Sequence, residues 1–356
     1  MTEQTTPVRI GIAGIGRAGW GMHCNELESR KNKFTIVAAC DTDPARCERM
    51  QERYGCRTYT AVQDMIADPE VELVDIATRS PEHEPHAIAA LQENKHVFLE
   101  KPMALAYDGA KRICDAAAQS SGTLFIRHNR RFEPAFQHIR ELVNSEILGN
   151  VYAIKLRRHH FARRDDWQTL IACGGGQLLN WGPHIIDHAL RLLDAPLEKM
   201  WSDLKRVAAV GDAEDHLKII MKGENARIID LEISGGYALP EPEYHVAGTR
   251  GALTCTGDDI HLRYLDPDQD FPPREANPKS PPMEGGFGNP EELVWIDETI
   301  PVNPSRPCAM DDIWDHLYNN LRNGKPFPIS LEEALQVMQV ITQTRRGTPF
   351  QMDLEP

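Results

Sequence analysis

Residues 14–19, Gly14-Ile15-Gly16-Arg17-Ala18-Gly19, follow directly on the apolar run Val8–Ala13 (VRIGIA) and lead into a helix-compatible stretch holding Glu26. A short apolar run closed by G-x-G-x-x-G and continued by a helix reads as strand, tight turn, helix, the unit that opens a parallel sheet. Glycines there let the backbone turn sharply and bring N–H groups up to a pyrophosphate at the helix start. Asp41 strengthens the reading. It ends a second β-rich run, Phe34–Cys40, 22 residues beyond Gly19, where a carboxylate accepts both ribose hydroxyls of NAD and repels a 2′-phosphate. Thr42 and Asp43 follow it and neither is basic, so NAD is expected over NADP.

The pattern continues with strand candidates at 71–77, His96–Leu99 and 123–127, separated by helical stretches at Pro44–Tyr54, 84–94 and 108–120. Strands alternating with helices of this length imply a doubly wound parallel sheet with helices on both faces, assigned to residues 1–127. After Gly149 the texture changes. Segments at 151–158, 208–209 onward, 217–221, 226–234, Tyr244–Gly248 and 252–256 read as strands, many of them alternating, as in an open sheet with one face covered. Residues 128–356 are therefore expected to form a second α/β domain. Seven prolines lie between Asp266 and Pro290, a composition unsuited to a helix or sheet interior and expected as a surface insertion. Helices are expected at 310–323 and Leu331–Arg345.

With 356 residues, the chain is long enough for two cores. Its 39 Lys plus Arg against 53 Asp plus Glu leave a net charge of −14 and no basic run, which argues against nucleic acid as a partner. Eight cysteines are scattered without a C-x-x-C pair, so neither a zinc cluster nor a disulfide framework is expected, and the thiols read as reduced and cytoplasmic. The first residues lack a signal-peptide pattern and no run of about 18 apolar residues occurs, so neither export nor a membrane span is expected.

Further along, Thr78-Arg79-Ser80-Pro81-Glu82-His83, Ala89-Ala90-Leu91, Lys95-His96-Val97, Glu100-Lys101-Pro102 and Asn129-Arg130-Arg131-Phe132 appear in order, followed by Trp167, Gly174-Gly175-Gly176 and His184 to Asp187. This series resembles the glucose-fructose oxidoreductase, inositol dehydrogenase and rhizopine-catabolism (Gfo/Idh/MocA) family, over at least residues 9–193. The resemblance implies a Rossmann domain, then an α/β domain with an open, mainly antiparallel sheet that often joins subunits as a homodimer or homotetramer. It also implies redox chemistry on sugars or cyclitols with NAD(P). Carried over residue by residue, it places Gly14, Ile15, Gly16, Arg17, Ala18, Asp41, Thr78, Arg79, His83, Glu100, Lys101 and Asn129 on the cofactor.

Moving a hydride from a secondary alcohol requires a group that stabilises the developing charge on oxygen and one that takes the hydroxyl proton. Lys101, at a strand end on the sheet's C-terminal edge, suits the first task. His184 suits the second, because Pro183 fits a first helical position and puts the imidazole in a first turn. The glycines at 174–176 are expected to let the chain pass close to cofactor or substrate. Asn129, Arg164, Trp167 and Asn180 are expected on the substrate, with Trp167 offering an apolar face and Arg164 a hydrogen-bond fork. His159 and His160, neighbours on a strand, point to opposite faces and carry no metal expectation.

Two departures from the family pattern stand out. Where many relatives have D-x-x-x-H, this chain has Asn180 before His184, and Arg79 stands where T-P-N is common. Asn carries no charge to support an imidazolium. The expected function is an NAD-dependent oxidoreductase of a sugar, glycoside or cyclitol CH–OH group. Two alternatives stay open: a glycoside hydrolase or lyase that cycles a tightly bound NAD, and a non-catalytic NAD-binding sensor or scaffold.

Overall fold

The computed structural model describes residues 6–276, 278 and 291–352. Six parallel strands, β1 (Val8–Ala13), β2 (Phe34–Cys40), β3 (Arg57–Tyr59), β4 (Leu73–Ile76), β5 (His96–Leu99) and β6 (Leu124–Ile126), form one sheet in the order β3-β2-β1-β4-β5-β6. Helices α1 (Cys24–Glu28), α2 (Pro44–Tyr54), α3 (Val62–Ile66), α4 (His83–Gln92) and α5 (Tyr107–Gln119) connect them. In β1 every residue but Arg9 is buried, as a strand covered on both faces requires. α2 shows the local logic. The Asp43 carboxylate accepts from the Ala45 N–H at 3.0 Å, Pro44 opens the helix, and Gly55 closes it at φ 64°. Strand order reverses between β1 and β4, which opens a crevice at the strands' C-terminal ends. β3 and α3 escape the sequence reading because three and five residues are too short to show a period.

The second layer is an eight-stranded sheet in the order β14-β13-β12-β11-β7-β10-β9-β8. Its members are β7 (Val151–His159), β8 (Leu197–Lys205), β9 (His216–Gly223), β10 (Ile228–Ser234), β11 (Tyr244–Gly248), β12 (Gly251–Thr256), β13 (Asp259–Leu265) and β14 (Trp295–Pro301). All neighbours are antiparallel except β7 and β10. The strand expected from residue 208 onward is replaced by β8, which ends at Lys205. Its run LEKMWSDLK is an exposed edge with too few apolar residues to stand out. Residues 266–276 and 278 hold no helix or strand, and the rest of the expected insertion, 277 and 279–290, lies outside the described residues.

Helices α6 (Pro134–Asn144), α7 (Gln177–Asn180), α8 (Gly182–Leu193), α9 (Asp312–Asn323) and α10 (Leu331–Arg345) complete the chain. One face of the second sheet packs on α8 and α10. Leu217, Ile219 and Met221 of β9 point into that core, while Lys218, Ile220 and Lys222 point away. Of the residues past 128, α9 packs against the first sheet. Its Ile313, Trp314 and Leu317 pack with Val8, Ile10, Phe34 and Phe98 of the first sheet, and Arg30 pairs with Asp311 and Asp315 at 2.7 and 3.0 Å. All eight cysteines are free. Among the described residues no helix is long and apolar enough to cross a membrane.

Candidate active site

The glycine turn lies at the crevice. Gly14 has φ 90°, and a Cβ there would stand 2.6 Å from the Ala77 carbonyl oxygen. A Cβ on Gly19 would stand 2.0 Å from the Gly14 carbonyl oxygen, so only glycine closes this turn. Above Gly16 the nearest atom is Arg46 Nη1 at 3.9 Å, leaving the turn open where a phosphate would approach. Ile15 and Asp43 donate their backbone N–H groups to the Asp41 carboxylate at 2.8 and 3.0 Å, and Arg46 approaches it at 3.2 Å. Arg17 and Ala18 lie on the turn, Arg17 exposed. The cradle and the carboxylate at the end of β2 fit a dinucleotide.

Thr78 and Arg79 follow β4. The buried His83 sits between the Pro102 carbonyl at 2.7 Å and the Thr78 carbonyl at 3.2 Å, so its ring ties two crevice loops together. Asn129 is buried on the turn after β6. Glu100, expected on the cofactor, has its carboxylate turned into the protein, where His23 and Arg127 meet it. Lys101 Nζ donates to the main-chain carbonyl of Asn180 at 2.8 Å. Asn180 thus holds the lysine through its backbone, a role that its side chain does not announce.

His184 stands in the first turn of α8, after Pro183, and is buried. Burial pushes its pKa well below 6.5, and Lys101, Arg130, His128 and His188 push the same way. The ring is therefore neutral, and its Nδ1 has no hydrogen-bond partner. Asp187, one turn on, does not support it. Arg131 donates to both Asp187 oxygens, and another Arg131 donor meets Glu333 of α10 at 2.6 Å. Trp181 forms the wall beside His184, with ring centres 6.2 Å apart. The Arg130 guanidinium lies 4.3 Å and that of Arg158 5.6 Å from the Trp181 ring centre. Glu133 pairs with both arginines at 3.1 and 3.3 Å. His188 stacks on Phe136 and bonds the Arg130 carbonyl at 2.8 Å.

Loop 160–176 is the second side of the cleft. Arg164 is held by Asp166 at 2.9 Å and Gln168 at 2.6 Å, so its fork is already occupied. Trp167 is half-buried, with the Arg79 guanidinium 5.5 Å from its ring centre. That contact brings Arg79, from the first layer, and Trp167, from the second, to one place. His159 stacks on Tyr237, and no group of three or more metal-ligating side chains occurs among the described residues. A Cβ on the glycines at 174–176 would meet protein: on Gly174 Leu105 and Pro81, on Gly175 the carbonyls of Gln168 and Leu170, and on Gly176 the Glu214 carboxylate. Sequence reasoning missed His128, Arg130 and Trp181 around His184. Their adjacency to Asn129 and Asn180 was the available signal.

Residues 8–128 match the family model described as an oxidoreductase family with an NAD-binding Rossmann fold, and residues 136–254 match the GFO/IDH/MocA C-terminal domain. The chain belongs to the Gfo/Idh/MocA family. It is an NAD-binding oxidoreductase. The D-glucoside 3-dehydrogenase of Escherichia coli (strain K12) is 28% identical over 199 residues, 55% of this chain and 56% of that one. The scyllo-inositol 2-dehydrogenase (NADP(+)) IolW of Bacillus subtilis (strain 168) is 24% identical, covering 94% of this chain and 92% of its own. The structure of an NAD-binding protein from Listeria innocua superposes with TM-score 0.78 at 23% identity, covering 95% and 93% of the two chains. The Listeria structure therefore shares the overall fold described here.

Proposed function

We propose that this protein oxidises or reduces a CH–OH group of a sugar, glycoside or cyclitol with NAD. The observation that carries the reading is a half-buried Lys101 ammonium, held on the Asn180 carbonyl, close enough to act on the buried, neutral His184 imidazole. Relatives named as glucoside and inositol dehydrogenases support the substrate class. When bound, the nicotinamide supplies the hydride acceptor or donor. Lys101 has one Nζ hydrogen committed to Asn180, leaving two to hold the substrate oxygen and stabilise its charge. His184, neutral, takes the hydroxyl proton during oxidation and returns it during reduction. Trp181, beside His184, would limit the water that reaches that exchange.

The test is nicotinamide reduction across a panel of glycosides, free sugars and cyclitols. Ketone formed one-for-one with NADH is the expected result. Tight NAD binding with no hydride exchange on any of them would leave the scaffold reading standing. A second reading is favoured by the proton affinity of Lys101, lowered by burial to about 8. An amine that close to neutrality is able to draw a C–H proton beside a transient carbonyl, so free sugar released without net NADH would indicate redox-cycling cleavage. Asp41 selects NAD over NADP on this reading, because its carboxylate repels a 2′-phosphate. Titration with both should show NAD tighter. Tighter NADP would overturn it and turn attention to Arg46.

A further inference from the structure

Beneath Lys101 runs a line of alternating charges that the proposed reaction does not use directly. Asp75 of β4 meets His23 Nδ1 at 2.7 Å, and His23 Nε2 meets Glu100 Oε1 at 3.0 Å. Arg127, just past β6, donates to that same oxygen at 3.0 Å and to Glu26 of α1 at 2.7 and 2.6 Å. Trp314 of α9 closes the line on Glu26 at 2.7 Å. His23 and Asp75 are fully buried. Each ring nitrogen of His23 faces a carboxylate oxygen, and an ionised carboxylate only accepts, so the ring must carry both protons. Burial opposes that charge most strongly, yet the Asp75 charge together with the hydrogen bonds to Asp75 and Glu100 raises His23 to about 9. Burial would likewise raise Glu100, but Arg127 and His23 hold it far below the usual carboxylate range.

We propose that Glu100 is a positioning residue: clamped as an anion by His23 and Arg127, it holds Lys101 by accepting its backbone N–H and keeps the side chain an ammonium. The contact to the Lys101 N–H is 3.0 Å. This rests on reading Lys101 as the group that meets the substrate oxygen. Apart from Glu100, the charged groups that act most on Lys101 are cations: Arg17 of the glycine turn, Arg130 of the 129–132 turn and Arg127 past β6. His128 and His184 face the same space and are held neutral by burial. With Glu100 neutralised, burial and three guanidiniums all act to remove the lysine proton.

Glu100→Gln keeps the shape and removes the charge. In the full chain without substrate, the pH dependence of Lys101 modification by an amine-directed reagent, read by mass spectrometry, should have its midpoint near 8 in the parent protein. It should fall by about one unit or more in Glu100→Gln and return toward the parent value in Glu100→Asp. The alkaline limb of kcat/KM should move with it, while NAD affinity stays within a few-fold. A folded Glu100→Gln protein with an unmoved midpoint overturns the proposal, because a purely structural Glu100 would change only the folded fraction. Should Glu100→Gln not fold, the His23 ring nitrogens of the parent protein decide by NMR: both protonated at pH 8 supports the clamp, and titration near 6.5 overturns it. The labelling needs no turnover, so a shifted midpoint in a protein inert on every sugar upholds the tuning and rejects only the substrate reading.

Discussion

Two side chains separate the chemistry into parts that respond to different changes. Lys101→Ala should lower turnover by ~10² or more, the scale of losing a donor aimed at developing charge, while NAD affinity stays within a few-fold. Isothermal titration beside steady-state kinetics checks this, and near-normal turnover would remove Lys101 from the reaction. His184 should show itself in the pH profile. Its folded pKa lies well below 6.5, so it is a ready base at neutral pH and its proton acceptance fails only as pH falls through that low value. The acid limb of kcat/KM for oxidation should therefore lie well below 6.5 and vanish in His184→Ala. Asn180→Asp should move the limb upward by adding an anion one turn before the ring. A limb that survives His184→Ala would assign the proton to another group. The sequence identified both residues by their motifs. It was silent on the state of His184, because a pKa depends on neighbours such as His128 and Arg130 that only folding assembles.

At the scale of elements, the elbow between α7 and α8 positions both groups of the proposed reaction. Gly176 enters it at φ 107°, and a Cβ there would lie 2.2–2.5 Å from the Glu214 carboxyl group. That same carboxylate accepts the Leu178 N–H at 3.0 Å, and the Glu214 carbonyl accepts the Gln177 N–H at 3.0 Å, so Glu214 caps α7 through both side chain and backbone. Gly176→Ala should cost ~2 kcal/mol or more from strain alone. It should also lower turnover, since α7 ends at the Asn180 carbonyl that holds Lys101. Urea unfolding checks the first effect, and a stability unchanged from the parent protein would show that the loop yields. The three glycines suggested a close approach to cofactor or substrate. That Gly176 meets Glu214, 38 residues on, depends on a loop between β8 and β9 that the sequence does not register against α7.

At the scale of the whole molecule, the outward face of the second sheet has no covering helix among the described residues. Trp201 on β8 is 57% exposed and Trp295 on β14 41% exposed, one on each edge strand, and Ile220 pairs with Trp201 on the same face. We propose that a second copy of the chain covers this face, giving a homodimer or homotetramer. Such a face suits an interface of aromatic anchors with charged residues around them. Light scattering should show an assembly larger than one chain, and Trp201→Glu should shift it toward the monomer. A monomeric parent protein would reject this interface.

The sequence by itself determined the first sheet, its glycine turn, Asp41 and the Lys101 motif, because each rests on a short-range signal: a run of apolar residues, a required φ, a capped helix. It also determined that a different, open sheet follows, through alternation such as that of β9. What the tertiary structure alone decided is everything set by contacts distant in sequence. Trp314 of α9 returns nearly three hundred residues to Glu26, Arg131 takes Asp187 away from His184, and His23 and Arg127 converge on Glu100. The physical reason is that periodicity and turn chemistry act over a few residues, whereas burial and charge act through space, between side chains that only the packed layers bring together.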